Sequence, residues 1–291
     1  MPKITFLGAG STVFAKNVLG DAMLLPSLHD AQIALYDIDA QRLDDCTRLI
    51  GAINRNANQG RATVSSHLGL SQRREALRGA DYVVNAIQVG GYEPCTVTDF
   101  AIPKRYGLEH TAEYTSWFIK SHKPQLLDRH LVPLDEYPRR CRLQIAAWEG
   151  TRRWLVEDPR VEHQASAEFG AYMMAALETG EPYRIAGNVM NDDWVTNLPR
   201  KACVEVPCVV DRRGIHPRSV GDLPEVCAAL NRTNVNPQIL TVEAVRTGKK
   251  DCVYQAAIMD PHTGAELGID EIVSLCDELF EAHAGWLPEL T

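Results

Sequence analysis

The sequence has no long apolar run and no excess of positive charge. No stretch approaches the roughly 20 consecutive apolar residues that are needed to cross a bilayer, and residues 1–7 have the pattern of a β-strand rather than of a secretory signal. The 30 Lys and Arg residues are outnumbered by 38 Asp and Glu residues, which gives a formal net charge of −8. Because such a chain lacks the basic patches that attract nucleic-acid phosphates, we expect no nucleic-acid partner and no membrane partner.

Paired cysteine motifs, internal repeats and low-complexity tracts are also absent. The eight cysteines are scattered, without CxxC pairs or the spacing of a disulfide framework. They therefore predict reduced thiols and a cytoplasmic protein. With 291 residues, of which 45% are apolar and 23% charged, the composition is typical of a globular protein with one large domain or two modest ones.

The chain opens with a strand, a glycine turn and a helix. Residues 3–7 form a short apolar run, and Gly8-Ala-Gly10 leads directly into a helical pattern. In this setting the first glycine permits a tight turn, the second lets the backbone approach a pyrophosphate, and the helix N-terminus offers free N–H groups. The third glycine of the dinucleotide fingerprint is replaced by Val13. The predicted coenzyme contacts are Gly8, Gly10, Ser11, Thr12, Val13 and Phe14.

Polar residues end the second and fourth predicted strands. Asp37 and Asp39 follow the strand at residues 32–36, where an acid can accept hydrogen bonds from both ribose hydroxyls and favours NAD over NADP. Asp39 is also placed to cap the helix over residues 40–58, and we expect one of the two acids to do only that. Asn85 and Gln88 lie at or near the end of the strand over residues 82–89, where open α/β sheets bind their ligands.

Strand and helix patterns follow one another along the whole chain. The strand–helix alternation of the first ninety residues predicts an α/β fold with a Rossmann-like parallel sheet. Further on, Pro207 suggests that its strand lies at a sheet edge or contains a bulge. Strands are predicted near residues 64–66 and 204–210, and helices over 139–158, 166–178, 228–247 and 269–284.

Several strings go beyond a general nucleotide-binding pattern. They cover residues 8–14, 35–39, 85–93, 112–120, 132–137, 187–192, 197–199 and 259–263. In this order they resemble glycoside hydrolase family four, the NAD- and metal-dependent glycosidases, and within it the α-galactosidase (melibiase) branch. The resemblance implies a dinucleotide-binding domain over residues 1–110. It also implies a C-terminal substrate and oligomerisation domain of mixed α+β structure over residues 111–291, with a sugar or glycoside as ligand.

The chain resembles a member of this family from which one internal block is missing near His110–Thr111. The residues after Thr111 match a string that lies far downstream in the family pattern. The absent block would contain later Rossmann strands and the Cys and His ligands of the implied Mn²⁺, so the metal ligands are unknown. A shortened sheet exposes strand edges and apolar faces. We therefore predict a homo-oligomer, specifically a dimer.

The resemblance also implies a reaction by oxidation, elimination, addition and reduction. In the family, NAD oxidises the sugar C3 hydroxyl, a divalent metal polarises that oxygen, and a base removes the C2 proton before the glycosidic oxygen leaves. Water then adds and the hydride returns. Because the metal-ligand block is missing, we expect this activity to be impaired. The alternatives are a catalytically silent NAD-binding descendant and a small NAD-dependent sugar oxidoreductase.

Four further residues are candidates, and three of them have a structural alternative. Tyr114 resembles a residue that lines the family active site, although a buried packing role is equally compatible. His110, a catalytic candidate, has the i, i+3 spacing to Glu113 that also suits a surface pair. Asn188 and Asn191 are predicted to face the sugar, since amides both donate and accept hydrogen bonds. For Asn191 the alternative is a turn with the two aspartates that follow it.

Overall fold

The computed structural model describes residues 1–109 and 116–291 and contains two compact units. The first comprises Met1–Gln88, Ala147–Gly187 and Glu205–Arg218, and the second Val89–Ala146, Asn188–Val204 and Ser219–Thr291. Each unit combines stretches from both parts of the sequence. These units do not test the predicted domains at residues 1–110 and 111–291, which remain a prediction.

The predicted Rossmann-like parallel sheet is present in the first unit. Its strands, in the spatial order β3-β2-β1-β4, are β1 (Lys3–Leu7), β2 (Gln32–Asp37), β3 (Thr63–Leu68) and β4 (Tyr82–Asn85). All three strand pairs are parallel. The strand order changes direction between β1 and β4, which in open α/β sheets is the position of the ligand crevice. The strand β4 ends at Asn85, before the predicted end at residue 89.

The first unit is held together by an apolar core between the sheet and two helices, α1 (Thr12–Leu24) and α2 (Ala40–Asn58). The side chain of Phe6 on β1 is fully buried, and α1 packs on the sheet through Val18 and Leu19. Burial of side chains of this size contributes about 1.5–3 kcal/mol each. The helical face that the sequence predicted for α2 is buried as expected, at Leu43, Cys46, Leu49, Ile50 and Ile53.

The remaining elements confirm a mixed α+β region. The helices are α3 (Arg73–Leu77), α4 (Val97–Arg105), α5 (Gln125–His130), α6 (Glu136–Arg152), α7 (Gly170–Thr179), α8 (Glu225–Thr247), α9 (Lys250–Met259), α10 (Thr263–Glu266) and α11 (Ile269–Ala282). A second sheet has the order β5-β6-β7, with β5 (Tyr183–Met190), β6 (Cys203–Asp211) and β7 (Gly214–Pro217). Within the described ranges, no helix is both long and apolar enough to cross a membrane.

Two local predictions differ from the structure for identifiable reasons. The helix α7 begins at Gly170 rather than at residue 166, because the N–H and hydroxyl of Ser166 both donate to the carboxylate of Asp21. The predicted edge position of the strand with Pro207 is wrong, since β6 is the middle strand. In an antiparallel ladder the N–H and C=O of one residue face the same neighbouring strand. Pro207 O accepts from the N–H of Arg218, so the side on which proline lacks an N–H faces the chain just beyond the end of β7.

Candidate functional site

The turn between β1 and α1 requires glycine at both predicted positions. Gly8 has φ +84°, and a Cβ there would lie 2.6 Å from the carbonyl oxygen of Ala86. A Cβ on Gly10 would lie 2.8 Å from a carboxylate oxygen of Asp37. Backbone N–H groups of Gly8 and Ala9 both donate to Tyr36 O at 2.9 Å, which fixes the turn at the carboxyl end of β2.

The N-terminus of α1 faces this turn without a side-chain cap. Ser11 occupies the N-cap position and makes no capping hydrogen bond, and no acid lies in the first turn. The first N–H groups of a helix have no partner within the helix, and together with the helix dipole they attract anions. Thr12 is buried and Val13 is 48% exposed, while the ring of Phe14 packs edge-on against Phe6 with centroids 5.7 Å apart.

The exposure of Val13 explains why the third fingerprint glycine is dispensable in this chain. In the fingerprint that residue permits close packing of the helix on the strand. Here α1 turns Ala15, Val18 and Leu19 toward the core instead, and these three are almost fully buried. The valine at position 13 therefore does not separate the helix from the sheet.

The structure separates the roles of the two acids that follow β2. Asp37 accepts hydrogen bonds from the N–H of Gly10 at 2.6 Å and of Asp39 at 2.9 Å, so its carboxylate lies against the glycine turn. Asp39 accepts from Arg42 N at 3.0 Å and is the N-cap of α2. The ribose-binding geometry predicted at this strand end is thus available to Asp37, whereas Asp39 caps the helix.

Two predicted polar residues lie at and just after the end of β4. Asn85 pairs with Leu7 across the β1–β4 ladder, and its side-chain oxygen accepts from Ile87 N at 3.2 Å. Gln88 is exposed. Sequence reasoning missed the roles of Ala86, whose backbone contacts Gly8, and of Arg42, which lies beside Gly10. The i, i+3 spacing of Asp39 and Arg42 indicates their mutual contact but not the position of Arg42 beside Gly10.

The predicted sugar-facing amides occupy different environments. Asn188 is exposed on β5. Asn191 is fully buried, donates to the carbonyls of Val195 and Leu198, and accepts from Val195 N. These bonds close the turn that the sequence offered as the alternative role. Since the amide of Asn191 is engaged within its own turn, we keep only Asn188 as a predicted sugar contact.

Comparison with known proteins gives a consistent result over both halves of the chain. Residues 3–117 match the model of the family 4 glycosyl hydrolases, and residues 63–263 match that of the family 4 glycosyl hydrolase C-terminal domain. The α-galactosidase of Bacillus subtilis (strain 168) is 35% identical over 434 residues, covering 99% of this chain and all of that protein. The chain belongs to the family 4 glycosyl hydrolases.

Solved structures of low sequence identity share the fold of this family 4 glycosyl hydrolase. The 6-phospho-β-glucosidase of Thermotoga maritima, solved with manganese, NAD⁺ and glucose 6-phosphate, gives a TM-score of 0.70 at 15% identity, covering 99% of this chain and 100% of that one. A 6-phospho-α-glucosidase from gut microorganisms, solved with NAD and glucose 6-phosphate, gives 0.72 at 16% identity, covering 100% and 99%. These likenesses confirm the α/β fold class.

The described part of this family 4 glycosyl hydrolase contains neither a recognisable set of metal ligands nor the two candidate catalytic residues. His110 and Tyr114 lie outside the described residues, as does the junction at His110–Thr111. Across residues 1–109 and 116–291, no three His, Cys, Asp or Glu side chains converge as a metal site would require. All eight cysteines are free, and burial, reinforced by Asp37, raises the pKa of Cys46 to about 12, which keeps that thiol protonated.

Proposed function

We propose that the chain binds NAD at the glycine turn and is related by descent to NAD-dependent α-galactosidase-like glycosidases. In this chain the hydrolysis of glycosides would be impaired. The observation that carries the proposal is the uncapped N-terminus of α1 behind Gly8 and Gly10. The α-galactosidase of Bacillus subtilis and the NAD-bound structures of the family support the class of reaction. Its ligand would be a small glycoside or sugar.

The residues of the turn suit NAD. The N–H groups of the first turn of α1 would bind the pyrophosphate, and the carboxylate of Asp37 would accept hydrogen bonds from the adenosine ribose. This carboxylate is held in place by the N–H groups of Gly10 and Asp39, so it would meet the 2′-phosphate of NADP with a fixed negative charge. When bound, NAD supplies the hydride acceptor for oxidation of a sugar hydroxyl.

The described residues do not suit manganese. A site for this ion needs several oxygen or nitrogen ligands at fixed distances, and the ranges 1–109 and 116–291 bring no three candidate ligands together. We therefore assign no step of the reaction to a metal in this chain. An elimination without that Lewis acid would be slow, because the acidity of the C2 proton depends on polarisation of the C3 oxygen.

We infer that the chain lacks an internal block near His110–Thr111 relative to its family. The match to the Bacillus subtilis enzyme extends over 434 residues, whereas this chain has 291. The two family models, which match residues 3–117 and 63–263, together cover both sides of that point. The loss of such a block would account for the missing metal ligands.

The proposal is tested by assaying hydrolysis of p-nitrophenyl α-galactoside with NAD, MnCl₂ and a thiol reductant, alongside a titration of NAD. We expect NAD to bind and turnover to stay near the uncatalysed rate. Turnover that disappears on addition of a chelator would contradict impairment. Substrate-dependent appearance of NADH absorbance without hydrolysis would support the sugar oxidoreductase instead, and failure of NAD to bind would overturn the coenzyme assignment.

We also propose a homodimer that covers the outer edge of β4. This strand ends the parallel sheet, and no strand pairs with its outer side in the part of the chain that the structure describes. Val83 and Ile87 near this edge are each 50% exposed, and an unprotected edge strand is a template for pairing with a second copy. Sedimentation velocity at micromolar concentration should show a dimer, and a stable monomer would remove this proposal.

A further inference from the structure

The three-stranded sheet contains a cavity that the proposed coenzyme site does not use. Its volume is about 270 Å³, and it is lined by Arg184, Ile185, Pro207, Cys208, Val209 and Arg218. All six residues belong to the first unit. The lining is apolar except for the thiol of Cys208, whose Sγ lies 3.4 Å from Val206 O, and the two arginines.

The sheet topology brings these arginines to the two sides of one strand. Arg184 is the second residue of β5, and Arg218 directly follows β7, while β6 lies between the two strands. The N–H of Arg218 donates to Pro207 O at 2.8 Å, which fixes its backbone beside the middle strand. Strands two positions apart are separated by about 10 Å, and arginine side chains are long enough to meet across that distance.

Both guanidinium groups are free of hydrogen bonds and ion pairs to other described residues. Their neighbours differ in this respect, because Arg212 donates to the carbonyls of Glu178 and Thr179, and Arg213 pairs with Asp211 at 3.0 Å. Glu205, the preceding acid on β6, does not line the cavity. Two arginines without an ion-pair partner among the described residues therefore line the cavity of a protein with a net charge of −8.

We propose that this cavity, the Arg184/Arg218 cleft, binds the phosphate group of a small phosphorylated compound. A guanidinium binds a phosphate with two parallel hydrogen bonds, and two guanidiniums match the charge of a phosphate dianion. The apolar side chains of Ile185, Pro207 and Val209 would contact the carbon skeleton. Binding sites for larger organic ligands span about 300–1,000 Å³, so this cleft suits a small metabolite. The proposal does not depend on NAD binding.

The test is a calorimetric titration of the full chain at low salt with inorganic phosphate and with glycerol 3-phosphate. Both should bind, glycerol should not, and added NaCl should weaken the binding because it screens the charges. Arg184→Gln and Arg218→Gln should each weaken binding by about tenfold, and the double variant should show no saturable binding. Arg184→Lys keeps the charge but loses the paired N–H donors of the guanidinium, so its affinity for phosphate should lie between those of the wild type and Arg184→Gln. Arg153→Gln, at an exposed arginine outside the cleft, is the matched control and should bind as the wild type does.

Phosphate also has an affinity for the glycine turn, and the design separates the two sites. The double variant leaves the turn intact, and each titration is repeated in the presence of saturating NAD. Phosphate binding that survives in the double variant, or that NAD abolishes in the wild type, would overturn the proposal, as would an absence of binding in the wild type. Circular dichroism establishes that each variant is folded. Failure of NAD to bind would contradict the proposed function and leave the cleft proposal standing.

Discussion

At the scale of single residues, the proposed coenzyme site depends on two glycines and one carboxylate. The N–H of Gly10 donates to Asp37, and Gly8 brings the backbone of β1 against that of Ala86. Each contact joins the glycine turn to a different strand of the sheet. A substitution at one of these positions should therefore change NAD affinity as well as stability.

Gly8→Ala is the most direct test of the turn. The variant combines an unfavourable positive φ with a Cβ that would lie 2.6 Å from Ala86 O. We expect loss of NAD binding and a fall in the free energy of unfolding of about 3 kcal/mol, of which the positive φ accounts for about 1–2 kcal/mol. Gly79→Ala is the matched control, because Gly79 has φ +68° and open space around it. Equal effects in the two variants, measured by urea unfolding and NAD titration, would contradict this account of Gly8.

Asp37→Asn should reduce the preference for NAD over NADP. The amide keeps one acceptor oxygen where the carboxylate serves two N–H groups, so NAD affinity should fall about tenfold. The affinity for NADP should fall less, because the substitution removes the repulsion between the carboxylate and the 2′-phosphate. Asp39→Asn is the control, since asparagine caps a helix about as well as aspartate. An equal loss of affinity for both coenzymes in titrations would indicate a purely structural role of Asp37.

At the scale of elements, a buried hydrogen-bond cluster fixes the segment before α7 on α1. Asp21 and His163 have fully buried side chains, with Nε2 and Oδ1 2.7 Å apart, and Ser166 donates twice to the same carboxylate. Burial alone would raise the pKa of Asp21, but the hydrogen bonds from Ser166 and His163 outweigh it and hold the pKa below its ordinary value. The stability that this carboxylate contributes is therefore present above the pKa of an unfolded aspartate and lost as the pH falls through the folded pKa.

Ser166→Ala should weaken the fold in a pH-dependent manner. Loss of the hydroxyl donor raises the pKa of Asp21 toward its unfolded value, so the free energy of unfolding at pH 7 should fall by about 1.5–3 kcal/mol. The difference from the wild type should narrow as the pH falls below about 4, because the carboxyl group becomes protonated in both proteins. Ser71→Ala, at an exposed serine, should change stability by less than about 0.5 kcal/mol. A difference that stays constant from pH 7 to pH 3 in urea unfolding would contradict the assignment.

Local sequence patterns predicted the elements of the first ninety residues but not their long-range contacts. The apolar face of α2 and the glycine turn follow from spacing along the chain. By contrast, Arg152 binds the buried carboxylate of Asp45 across 107 residues, with two bonds of 2.8 Å. That pair helps to place residues 147–187 in the first unit, and no local pattern predicts it. The start of α7 and the middle position of β6 were missed for the same reason, since distant residues determine both.

At the scale of the whole molecule, the chain belongs to the family 4 glycosyl hydrolases, and its described residues form the proposed coenzyme turn but bring no three candidate metal ligands together. The glycine turn was predictable because its residues are contiguous in the sequence. Which of the two amides is buried was not predictable, although the turn that engages Asn191 was one of the two roles that its sequence context offered. The proposed loss of an internal block from a member of this family predicts retained coenzyme binding and impaired hydrolysis.

The most direct test is an isothermal calorimetric titration of the full chain with NAD, followed by MnCl₂ on the NAD-saturated protein and on the free protein. We predict saturable binding of one NAD per chain and no saturable binding of Mn²⁺ in either titration. Binding of one Mn²⁺ per chain that strengthens when NAD is present would show that the protein still assembles a metal centre beside its coenzyme. That result would contradict the account.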